Sequence, residues 1–169
     1  MKKILLVALA LLVLTASVAM AEGDVKIGQV QYAAHGTKCF AVLTVAMQGD
    51  VIADAYIDEY QFMAADSIGV PNSDADFGQS FPEGKVLASK KVNAETYSAN
   101  MAAKAGSTVS LTDNYAAIEN FVTGKTIAEV EAAFEGKTAE EAVDVVSGCT
   151  LVDTLGYVKG LVEAAKSAK

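Results

Sequence analysis

Three threonines pose the first chemical question: Thr126, Thr138 and Thr150 each stand two residues after a glycine, at Gly124, Gly136 and Gly148, in the run GKTIAEVEAAFEGKTAEEAVDVVSGCTLVD. A threonine so placed can cap the start of a helix, or its hydroxyl can stand free as an oxygen nucleophile. Two triplets read GKT and the third reads GCT. GKT is also the tail of the phosphate-binding loop, but that loop needs a glycine five residues before its last glycine, after an apolar strand. Those positions hold Glu119 and Glu131, which excludes nucleoside triphosphate binding.

The other reactive side chains are scattered. His35 is the sole histidine, in YAAHGTK, with no partners at metal-ligand spacing, so it reads as a surface turn residue and no metal site is expected. Asp58 and Glu59 are adjacent on an extended run and point to opposite faces, which argues against joint acid–base work. Cys39 and Cys149 permit one disulfide if the chain is exported, while Cys39 reads equally well as a core residue of a strand. No catalytic constellation emerges.

The elements that must position these residues are legible in part. KCFAVLTVAM and VIADAYID flank Gly49-Asp50, a two-residue turn signal, which predicts a β-hairpin over about residues 38–58. Cys39, Ala41, Leu43, Val45 and Met47 then share one face of its first strand, and Asp54, Tyr56 and Asp58 the wetter face of its second. From Glu59 to Lys85 the pattern dissolves into a long loop whose Tyr60, Phe62, Phe77 and Phe81 call for packing. Helices are predicted from Asn93 to Gly106 and from Thr112 to Gly124 by capping residues, terminal glycines and apolar spacing. Thr126-x-x-Glu129, Thr138-x-x-Glu141 and Thr150-x-x-Asp153 match capping boxes or the aspartate variant, so each triplet is first a helix boundary. The β-branched run Ala142 to Val146 suggests a strand delivering the chain into a turn, with a last helix starting at Thr150 and carrying Leu151, Leu155, Val158 and Val162 on one face. The sum is an α+β fold: a small antiparallel sheet built on the hairpin, with several C-terminal helices packed on it.

Address and charge narrow the function further. Residues 1–21, MKKILLVALALLVLTASVAMA, read as a cleaved signal peptide: two lysines, an apolar run too short to span a bilayer, and a small-x-small end. Residues 22–169 then form a single exported domain, periplasmic or at the cell surface, with no stable membrane insertion. Loss of Lys2 and Lys3 takes the formal charge from −8 to −10. So acidic a surface repels phosphate backbones and anionic lipid, which excludes nucleic acid as a partner.

At a helix N-terminus, a phosphate on Thr150 would meet the backbone N–H groups of Gly148 to Val152. The run Asp144-Val145-Val146-Ser147-Gly148-Cys149-Thr150-Leu151 resembles the flavinylation motif of FMN-binding domains, Asp-x-x-Ser-Gly-Ala-Thr, with Cys149 in place of its alanine. The resemblance implies FMN held by a phosphoester bond on Thr150, with Asp144, Ser147, Gly148, Cys149 and Leu151 around the attachment. It also implies a flavin transferase that uses FAD and a divalent metal for maturation, and redox proteins or diffusible electron acceptors as later partners. Tyr32, Tyr56, Tyr60 and Phe62 are candidates to shelter the ring by stacking. The expected function is that of an electron carrier outside the cytoplasm. Reversible binding of FMN or another ligand, and a cell-surface interaction module in which the threonines serve only as caps, are the alternatives.

Overall fold

The computed structural model of the chain describes residues 23–169, so the segment read as a signal peptide lies outside the described residues. It is an α+β fold whose sheet is a four-stranded antiparallel meander in the order β1-β2-β3-β4. The strands are β1 (Val25–Tyr32), β2 (Cys39–Gln48), β3 (Val51–Ala64) and β4 (Lys85–Ser89). The helices are α1 (Ala94–Ala105), α2 (Leu111–Val122), α3 (Ile127–Ala133), α4 (Ala139–Val143) and α5 (Thr154–Lys166). Helices α2 and α5 lie on the sheet, α5 across β1 and β2 and α2 against β3. Among the described residues no helix is long and apolar enough to cross a membrane.

The hairpin forms where its alternation places it. Ala41, Leu43, Val45 and Met47 are buried in one row, with Cys39 half-buried at its end, and Gly49-Asp50 makes the turn. The second strand, however, does not stop at Asp58. It continues to Ala64 because Ile57, Glu59 and Met63 keep the inward alternation, and the buried carboxyl of Glu59 finds Lys90 opposite. Asp58, expected on the wetter face, is buried instead and accepts a hydrogen bond from Ser89 Oγ at 2.7 Å. The irregular stretch thus shrinks to residues 65–84, pinned by a cluster in which Phe81 meets both Phe62 and Phe77 edge-on at 5.2 Å. Tyr60 stacks on Phe40 across the β2–β3 pair.

Two strands lie beyond what the hairpin signal showed. β1 escapes notice because its inward position Gly28 carries no side chain, while Val25 and Ile27 are exposed. The reason is contact: a Cβ on Gly28 would stand 1.8 Å from the backbone oxygen of Ala164, and one on Gly160 would stand 2.2 Å from Leu43 Cδ1. Helix α5 therefore rests on the sheet at backbone distance, and glycine on both surfaces is what allows it. β4 is only five residues long and pairs with the end of β3.

The first half of β3 has no strand beyond it, and its backbone groups are met by other means. Ile52 N–H donates to Lys125 O at 2.9 Å, Gly124 N–H donates to Ile52 O at 2.8 Å, and Ile57 N–H donates to Glu119 Oε1 at 2.7 Å. Helix α2 and the turn after it thus act as a substitute neighbour for the strand.

The first two threonine boxes form in full: Thr126 and Thr138 each accept the amide of the glutamate three residues on, and Glu129 and Glu141 accept the amides of Thr126 and Thr138 in return. The expected strand at Ala142 to Val146 is instead the end of α4 and the turn after it, because the Thr138 box has already started a helix whose Ala142 faces the core. The last helix begins at Thr154 rather than Thr150.

Two consequences can be measured. Gly28→Ala should lower stability by about 1–3 kcal/mol or more in urea unfolding, since the obstructing atom is backbone and cannot swing aside. The backbone hydrogen bonds from Thr126 and Thr138 hold Glu129 and Glu141 below the ordinary value of 4.5, so their contribution is full above that value and is lost as pH falls through the lower folded one. Amide exchange at the starts of α3 and α4 should accordingly rise on acidification, and Glu129→Gln should remove that pH dependence from α3 alone.

Candidate functional site

Thr150 is an exposed residue in the segment between α4 and α5, at a cavity of about 390 Å³. The cavity is assembled from distant parts of the chain: His35 from the β1–β2 loop, Lys90 from the end of β4, Tyr97 and Met101 from α1, Leu111 from α2 and Tyr157 from α5. The segment Thr150 to Asp153 and the loop Gly106 to Thr108 complete the wall. At the mouth, His35 Nδ1 pairs with Asp153 Oδ2, tying the β1–β2 loop to the start of α5. The lining is thus mainly apolar and aromatic with a few convergent polar groups, the usual make-up of a small-molecule site.

The polar groups at its floor belong to one buried network. Lys90 Nζ donates to Glu59 Oε2, and Tyr157 Oη donates to the same oxygen at 2.9 Å. Tyr115 Oη lies 3.5 Å from that oxygen and 3.4 Å from Tyr157 Oη, and the Lys90 ammonium sits 4.9 Å from the centre of the Tyr97 ring. Glu59 Oε1 is buried without a hydrogen-bond partner. Burial alone disfavours the Lys90 ammonium, but the charge and hydrogen bond of Glu59 more than reverse this and move its pKa upward. Burial, followed by the Glu59 charge, pushes the Cys39 thiol up to about 11 against the opposing pull of Lys90. Burial is also the main cause of the rise at Tyr115 and Tyr157, whose hydroxyls stay protonated.

The residues of the Asp-x-x-Ser-Gly-x-Thr run do not all gather here. Thr150 and Leu151 line the cavity, whereas Asp144, Ser147, Gly148 and Cys149 do not. Asp144 ends α4 and Ser147 is exposed in the turn. Gly148 has φ +86, a left-handed turn conformation that suits glycine. Cys149 is buried with Sγ 3.1 Å from Thr154 Oγ1, while Cys39 Sγ donates to His35 O, so both cysteines are free.

The cradle expected at a helix N-terminus is also differently made. Thr150 N–H donates to Asn114 Oδ1 at 2.7 Å and Thr150 Oγ1 lies 3.3 Å from the same atom, so α2 holds this residue away from the helix start. Asp153 takes the capping position of α5 without a side-chain cap bond, since its carboxylate is engaged by His35. The third threonine box therefore never closes. Two of the backbone donors foreseen for a phosphate, the amides of Cys149 on Val146 O and of Thr150 on Asn114 Oδ1, are already spent inside the protein.

The aromatics singled out as ring shelters lie elsewhere. Tyr56 faces the Lys91 ammonium 3.7 Å away, Tyr60 stacks on Phe40, Phe62 meets Phe81, and Tyr32 packs beside Gly160. Tyr97 and Tyr157 take their place in the cavity wall. Neither is marked by any motif, although both fall on inward positions of helices that the sequence indicated. Glu59 was hidden at the start of the run read as loop, and Lys90 in the stretch between that run and the helix read from Asn93. The chain matches no protein-family model, and comparison with curated proteins and with solved structures likewise finds no match.

Lys90→Met alone should cost about 3–5 kcal/mol, because it leaves Glu59 buried without its counter-charge. The double variant Glu59→Gln/Lys90→Met should recover most of that loss in urea unfolding. Equal losses in the two variants would show that the pair is not energetically coupled.

Proposed function

We propose that this chain is an exported electron carrier that holds FMN by a phosphoester bond on Thr150. The observation that supports the reading most is that the motif's threonine is exposed beside a cavity lined by Tyr97, Tyr157, Met101, Leu111 and Lys90. The side chains present suit the group in two respects: Thr150 is exposed at the cavity edge, and the apolar and aromatic wall suits a planar ring. They suit it less at the phosphate, where the amide of Thr150 is engaged by Asn114.

Attachment is the work of a partner enzyme. Thr150 Oγ1 forms a bond to the FMN phosphorus of FAD, the pyrophosphate bond breaks, AMP leaves, and the hydroxyl proton passes to a base of the transferase. When bound, the flavin supplies the redox chemistry, exchanging electrons with redox proteins or diffusible acceptors. The chain's own residues attach it, exclude water from one side and set the local field. The protein is a carrier rather than an enzyme in its own right.

A second reading has an observation of its own. The hold of Asn114 on both the amide and the hydroxyl of Thr150, with Cys149 in place of the motif's alanine, favours reversible binding of FMN or a similar planar ligand in the same cavity.

Intact mass and in-gel flavin fluorescence after denaturation separate the two. Protein made with an active flavin transferase should gain the mass of FMN less one water, and Thr150→Ala should lose both signals. An unchanged mass with the transferase shown to be active would remove the covalent reading. Flavin binding that persists in Thr150→Ala would support the reversible one.

A further inference from the structure

A buried ion pair lies under the cavity. Lys90 is 1% exposed and Glu59 is not exposed at all, and a pair of apolar residues of similar volume would commonly hold such a position as well or better. Yet Lys90 is a residue of the cavity wall, whereas Glu59 is not. The Lys90 ammonium has three donors. Glu59 Oε2 accepts one, and the centre of the Tyr97 ring, itself part of the wall, lies 4.9 Å from the nitrogen.

Lys90 is also firmly placed. Its backbone N–H donates to Glu59 O at 2.7 Å, and the residues on either side are fixed by Ser89 Oγ on Asp58 and by Lys91 Nζ on Glu119 Oε1 at 3.1 Å. A cation locked at main chain and side chain is the arrangement that stabilises negative charge arising on a neighbour. His35 is the other basic residue of the wall, and it is paired with Asp153 at the mouth.

We propose that Lys90 is the buried cation beneath the electron-accepting ring held in this cavity and, through its field, makes that ring easier to reduce. The inference rests on the flavin reading of the site. Two electrons from an external reductant and one proton from solvent leave the ring system with one more negative charge than it had when oxidised. The fixed ammonium of Lys90 stabilises that charged product over the oxidised ring, so the reduction equilibrium shifts towards the product.

The test compares full-length flavinylated protein with its Glu59→Gln/Lys90→Met and Lys90→Arg variants by dithionite titration against a reference dye. Glu59→Gln/Lys90→Met removes one charge of each sign, so net charge is unchanged and any shift reports the pair and its orientation, with the Lys90 end on the cavity side. The reduction equilibrium should fall at least tenfold in the double variant, ~30 mV for a two-electron couple. Lys90→Arg should retain most of the native value. An unchanged potential in the double variant, with native circular dichroism and full flavin content, overturns the role of Lys90 and leaves the flavin assignment standing. Should the wild type take up no covalent FMN, the same variants are titrated with free FMN, oxidised and reduced. The preference for the reduced form should then drop tenfold in the double variant; an unchanged ratio, or no binding of either form to the wild type, overturns the inference.

Discussion

The carboxyl group of Glu59 sits where the sheet meets the segment after β4, helix α2 and helix α5, and each of these sends it a polar partner. Lys90 comes from the end of β4, Tyr115 from α2 and Tyr157 from α5. A buried carboxyl group is tolerated only if donors converge on it, so the relative positions of three elements are tied to one side chain. The two tyrosine rings meet edge-on with centres 5.4 Å apart, which joins the polar centre to the apolar packing around it. The cavity is a by-product of this convergence: Lys90 and Tyr157 reach inward to Glu59 and in doing so become its floor.

What the sequence disclosed and what it concealed follow from the range of the interactions involved. The hairpin, the capping boxes at Thr126 and Thr138 and the extents of α1 and α2 depend on neighbours within a few residues, and each was legible. β1, β4 and the far half of β3 depend on partners far along the chain. Gly28 in particular is uninformative until Ala164 is placed against it. The third threonine box shows the limit of local reading most clearly. Its spacing is right, but Asn114 from α2 captures Thr150 and His35 captures Asp153, so tertiary contacts overrule the local motif. The candidate site was therefore half visible, with Thr150 and Leu151 marked by a motif and Lys90, Tyr97 and Tyr157 by nothing in their surroundings in the sequence.

The same contacts separate two roles that the motif would have combined. As a helix cap, Thr150 would have spent its hydroxyl on the first turn of α5. Displaced from that start, it stands exposed at the cavity edge with its hydroxyl 3.3 Å from Asn114 Oδ1, while Thr154 is buried with its hydroxyl on Leu151 O at 2.6 Å. The stability of α5 and the chemistry available at Thr150 are thus borne by different side chains.

The contact of α5 with β1 joins the first described strand to the last described helix, with nearly all of the fold lying between them in sequence. Loop closure over so long a stretch is entropically costly and is recovered only when the whole interface forms. Until α5 emerges, β1 and β2 lack the helix that covers their inner face, and the glycines that admit its backbone leave a shallow apolar trough. A nascent chain therefore cannot complete its core in steps from the N-terminus. It remains open, and accessible to chaperones, until its last helix has been made.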